Sequence, residues 1–84
     1  MRIFVARLPR RVTSLELRAA FEPWGVVSDA YVLTDRQTGE SRSCGFVTMP
    51  DEQQARRAMN EVDGMTWDGR QIVCEIAKER EQRV

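Results

Sequence analysis

The chain has 84 residues, 42% of them hydrophobic, and its 13 Lys+Arg balance 13 Asp+Glu. That length supports one small domain with a modest core, and no apolar run approaches the ~20 residues that span a bilayer. With two Cys and no His a zinc set cannot be assembled, and zero net charge gives no hint of a polyanionic partner.

Arg2 is followed by a short apolar stretch and then by Arg7, Arg10 and Arg11, which is not a signal-peptide pattern. The chain reads as a complete small protein or as a domain cut from a longer one. Two unpaired thiols suit a reducing, intracellular compartment, nuclear or cytoplasmic.

The first strand is expected over 2–6, where apolar and aromatic residues concentrate. Pro9 breaks it, since proline cannot continue a ladder. Thr13 with Glu16 three residues on is a capping box, so a helix over 14–23 starts there. Leu17, Ala20, Phe21 and Trp24 fall on one side of it, and Pro23 and Gly25 end it. A second strand is expected over 26–33, with Val27, Ala30 and Val32 inward and a local bulge to absorb their odd spacing. Tyr31 then lies on the other face.

Asp35 to Glu40 is a polar loop turning at Gly39. The stretch from Arg42 to Met49 reads as the organising strand, placed over 43–49. Alternation puts Cys44, Phe46 and Thr48 on one face and Gly45, Val47 and Met49 on the other. Asp51 opens a second helix over 51–63, whose stripe is Ala55, Ala58, Met59 and Val62, with Gly64 as its C-cap. Met65 to Gly69 is expected as a loop, with Trp67 folded onto the core edge. A fourth strand is expected over 70–77, with Ile72, Cys74 and Ile76 inward. Residues 78–84 form a charged tail, frayed or helical. Cys44 and Cys74 fall on opposite faces, so no disulfide is expected between them.

The order is therefore βαββαβ, an α+β, ferredoxin-like plan: a four-stranded antiparallel sheet with both helices on one face. Two short helices cannot cover both faces. Phe4, which points away from Ile3 and Val5, joins Phe46 and Tyr31 on an open face rimmed by arginines. An exposed aromatic cluster of this kind asks for a ligand. The inert alternative covers Phe4 and Phe46 with the tail, another helix or another subunit, and pairs Arg42 with Glu75 or Asp29. Trp24 and Trp67 read as core and core-edge residues.

Ile3-Phe4-Val5-Ala6-Arg7-Leu8 resembles the hexamer motif of the RNA recognition motif (RRM) family. Arg42 to Met49 resembles its octamer. The likeness extends over nearly the whole chain: Leu17…Phe21…Trp24-Gly25, Thr38-Gly39, Ala55…Ala58 and Gly69-Arg70. It implies that bases of single-stranded RNA stack on the sheet. The two stacking positions fall on Phe4 and Phe46, and Tyr31 extends the platform. The octamer's leading basic residue falls on Arg42, a contact to phosphate or base edge. Arg2 and Arg7 are the neighbouring cations. Preferred bases are read from the end of the last strand onward, which brings in Glu75 and Lys78.

The departures are specific. Cys44 replaces the octamer's first aromatic, Ser43 replaces a glycine, Met49 replaces a core aromatic, and Ala6-Arg7 replaces Gly-Asn. The resulting expectation is a monomeric, non-enzymatic module for single-stranded RNA, or for single-stranded DNA, with no cofactor, no metal and no membrane partner. The alternative is a protein-interaction or self-association module working through the sheet or the helical face. An enzyme is disfavoured, because no phosphate-binding GxxxxGK and no acid/base pair is present.

Overall fold

The computed structural model describes residues 1–34, 37–39 and 41–77, the side chains of Ser41 and Arg42 excepted. In chain order the elements are β1 (Arg2–Ala6), α1 (Ser14–Phe21), a 3-10 turn (Glu22–Trp24), β2 (Asp29–Thr34), β3 (Ser41–Thr48), α2 (Glu52–Val62), β4 (Thr66–Trp67), β5 (Arg70–Gln71) and β6 (Val73–Ala77). Four strands form one antiparallel sheet in the order β2-β3-β1-β6, and β4-β5 is a separate hairpin. The two strands that carry the aromatic motifs are therefore its centre.

One face of the sheet meets the helices. Ile3, Val5, Val47 and Met49 are fully buried there against Leu17 and Phe21 of α1 and Ala55 and Ala58 of α2. The helices start where the caps dictate. Thr13 Oγ1 accepts from the Glu16 amide at 3.2 Å, and Glu16 Oε1 accepts from the Thr13 amide at 3.0 Å. The Asp51 carboxylate accepts from the Gln53 and Gln54 amides at 2.9 and 3.1 Å. At Gly45 the sheet and α1 approach so closely that a Cβ would run into the Tyr31 carbonyl oxygen and lie 2.9 Å from Leu17 Cδ2. Only glycine lets Leu17 seat there.

Several local expectations are corrected. The second strand begins at Asp29, not at residue 26, because the chain before it is bonded elsewhere. The Val26 amide donates to Gln54 Oε1 at 3.1 Å, and Val26 itself is 65% exposed. Val27 reaches the core from this lead-in, and the register shift falls instead between Val32 and Thr34.

The expected strand over 70–77 is broken. Arg70–Gln71 turns back on Thr66–Trp67 through Asp68 and Gly69, both at positive φ (51° and 81°). Asp-Gly is a strong two-residue hairpin signal, and residues 65–69 are not simply a loop. Ile72 is buried between the two strand segments. Ile76 lies opposite Ile3 on the helical side, yet it is 49% exposed, because β6 is an edge strand and α2 flanks it on one side only. The helix C-cap is Asp63, and Gly64 (φ 84°) is the residue beyond it. The tail over 78–84 lies outside the described residues.

Candidate nucleic-acid interface

Among the described residues no helix lies on the other face of the sheet. Antiparallel register lines up one residue from each strand across it, in the row Tyr31–Phe46–Phe4–Glu75. The rings touch in sequence. Phe4 and Phe46 have centroids 5.3 Å apart at 54°, and Tyr31 and Phe46 are 5.8 Å apart at 41°. Tilted pairs at such distances suit the ring quadrupoles. All three are half-buried, each tilted against its neighbour.

Arg2 closes one side of this row. It lies two residues before Phe4 on the same face, opposite Thr48. Its guanidinium carbon sits 4.2 Å from the Phe46 ring centroid, a cation–π geometry. Its Nη2 donates to the Tyr31 hydroxyl at 2.6 Å. The sequence placed Arg2 near the sheet but missed that it caps Phe46. The signal was available, since alternation sets Arg2 and Phe4 on one face.

On the far side of the row, small residues replace rings. Ala6 pairs with Cys44 and with Val73, so three short side chains lie in line. Cys44 is a free, half-buried thiol on the open face, and Cys74 is a free thiol buried on the helical side. Burial, and secondarily the Asp63 carboxylate, push the Cys74 thiol up to about 12. Cys74 is thus a neutral core residue. Its amide donates to Asp63 Oδ1 at 2.9 Å.

Arg7 follows β1 at φ 64°, exposed, with its carbonyl accepting from Arg70 Nε at 3.2 Å. Ser43 also has φ 64°. These are the positions where Arg7 and Ser43 stand in place of Asn and Gly, the residue types that adopt a left-handed backbone most easily. Arg11 pairs with Asp68 at the hairpin turn, so it is engaged away from the platform. The Arg42 side chain and Lys78 lie outside what is described. Among the described residues no group of three or more His, Cys, Asp or Glu gathers to hold a metal. No helix among them is long and apolar enough to cross a membrane.

The comparison with known proteins agrees with this architecture. The family profile of the RNA recognition motif matches residues 3–73. The 28 kDa chloroplastic ribonucleoprotein of Spinacia oleracea is 42% identical over 82 residues, which span 98% of this chain and 35% of the spinach protein. The crystal structure of RNA binding protein PG1 superposes with a TM-score of 0.91 at 41% identity, covering 98% of this chain and 99% of that one. The Sxl-lethal protein in complex with RNA gives a TM-score of 0.88 at 26% identity, over 96% of this chain and 48% of that one. With its two motifs on the central strands and a family match over most of its length, this chain belongs to the RNA recognition motif family.

Proposed function

We propose that this chain is a module for single-stranded RNA that stacks bases on Phe4 and Phe46, with Tyr31 lengthening the platform. The observation that carries the reading is the contiguous aromatic row on the face of the sheet opposite α1 and α2. A base has a π-face whatever its identity, so such a row accepts it with modest sequence preference. Related proteins are described as ribonucleoprotein and RNA-binding, and one shares this fold while bound to RNA. We assign the module no catalytic step, and two free thiols accord with an intracellular setting.

The cations have distinct roles in this reading. Arg2 must either leave Phe46 when a base arrives or present its own guanidinium plane to that base. Arg7, at the strand end, and Arg42, in β3, supply phosphate contacts. Glu75, on β6, and Lys78 read bases. Cys44 contributes little area, so the site has two principal rings where the resemblance implies three.

An NMR titration with short random-sequence RNA tests the proposal. Shifts are expected at Phe4, Phe46 and Arg2. Shifts confined to α1 and α2, or none, would overturn it. Few cations among the described residues adjoin the platform, so log K should fall with log salt at a slope near −2, from about 0.7 per phosphate neutralised. A slope steeper than about −4 would require a larger basic surface than Arg2, Arg7 and Arg42 provide.

A further inference from the structure

We infer that Glu75 makes the Phe4 end of the platform a guanine-selective base site; the inference rests on the RNA-binding reading above. Glu75 is the cross-strand partner of Phe4, on the same open face, and it is exposed. Directly opposed residues on one face hold their Cβ atoms within about 5.5 Å. A carboxylate so placed reaches the edge of a base lying on the Phe4 ring.

A carboxylate beside a nucleic-acid platform is unfavourable unless something uses it, because it repels phosphates. Nothing among the described residues neutralises Glu75. The cation that caps the row, Arg2, extends over Phe46 to Tyr31, on the opposite side of β1 from β6. The row is therefore polarised. A guanidinium and a phenol stand at the Phe46 end, and a carboxylate at the Phe4 end.

An ionised carboxylate only accepts hydrogen bonds, through two oxygens. The base it favours must present two neighbouring N–H donors on one edge. Guanine does so with N1–H and the N2 amino group, which match the carboxylate in a charge-assisted, bidentate pair. Uracil offers a single N3–H flanked by two carbonyl oxygens that the carboxylate repels. Adenine and cytosine each place a ring-nitrogen acceptor beside their amino group. Stacking on Phe4 provides the affinity, and Glu75 decides which base receives it.

The test uses the full chain and four six-nucleotide single-stranded RNAs: all uridine, and uridine with one central guanosine, inosine or adenosine. Guanosine should bind about tenfold tighter than uridine, the scale of one bidentate contact. Inosine keeps N1–H but lacks the amino group and should fall between them. In Glu75→Gln the guanosine preference should shrink to about twofold, since an amide offers one acceptor and no charge. Thermal melts check that the variant is folded.

If Glu75→Gln tightens all four RNAs equally and keeps the guanosine preference, Glu75 is only a repulsive charge and the inference fails. Equal binding of guanosine and uridine by the parent chain would also overturn it, while leaving the RNA-binding reading intact. If none of the four RNAs binds, the RNA-binding reading itself falls, and this inference with it.

Discussion

Two phenylalanines on the two sides of one sheet show how the fold divides its labour. Phe21, at the end of α1, is fully buried with Leu17, Val47 and Met49. Phe46 is half-buried on the opposite face, tilted against Phe4 and Tyr31 and capped by Arg2. The two side chains are chemically identical. One has exchanged nearly all its contact with water for contact with the core. The other is only half-buried, and what lies over its ring is the side chain of Arg2. A ring's neighbours, not its identity, decide whether it serves stability or binding.

Truncating each ring would sharpen the contrast. The largest effect is expected for Phe21→Ala, which should cost about 3–5 kcal/mol of folding stability in a denaturant titration. A cost below about 1 kcal/mol would mean that the helical face is loosely packed. Phe46→Ala and Phe4→Ala should each weaken RNA binding by about 1–3 kcal/mol, the value of a lost base stack. Their cost in stability is the lost ring pairing, about 1 kcal/mol. If either unfolds the domain, the ring belongs to the core and the contrast collapses.

The two cysteines repeat the comparison. Cys74 is buried on the helical side and its thiol is pushed up to about 12, whereas Cys44 is on the open face. A thiol that keeps its proton to higher pH in the folded state stabilises the fold below the unfolded value of 9.0. Above it the unfolded chain releases a proton that the folded chain retains. Stability contributed by Cys74 therefore falls as pH rises from about 9 toward about 12, with a slope of at most about 1.4 kcal/mol per pH unit. Denaturant titrations at pH 8 and pH 10 should show a larger loss for the parent chain than for Cys74→Val, by about 1 kcal/mol. Equal losses in both would mean that the thiol ionises inside the fold as easily as outside it.

The open face was legible because period-2 alternation admits few solutions. Once Ile3, Val5, Val47 and Met49 face the helices, Phe4 and Phe46 have only the other side. The order of elements then fixed which face the helices occupy. The sequence was less legible where backbone hydrogen bonds leave the expected ladder. Val26 looks like strand, but its amide bonds to a side chain of α2. Residues 70–77 look continuous, but Asp68-Gly69 folds the first two back into a hairpin. Ile76 follows the inward pattern yet stays half exposed, since alternation says which side a residue faces and not whether anything covers it. Arg2 over Phe46 was missed for a related reason: a long side chain can reach along the sheet, and its direction is set by the Tyr31 hydroxyl on another strand.

The smallest effect concerns the rim, at Arg7, where backbone and charge can be separated. Arg7 sits at φ 64°, and its carbonyl is held by Arg70 Nε at 3.2 Å. A left-handed conformation costs an ordinary residue about 1–2 kcal/mol, and asparagine adopts it more readily. Arg7→Asn should therefore stabilise the domain by about 0.5–1 kcal/mol, measured by thermal or denaturant unfolding. The same substitution removes one cation beside the platform. If Arg7 holds a phosphate, RNA binding by the more stable variant becomes weaker, and its salt slope becomes shallower by about 0.7. Weaker binding with an unchanged slope would mean that the change alters the end of β1 and not a phosphate contact. A loss of stability would show that the Arg7 side chain gives the fold more than its backbone strain removes, and would place this residue on the structural side of the comparison.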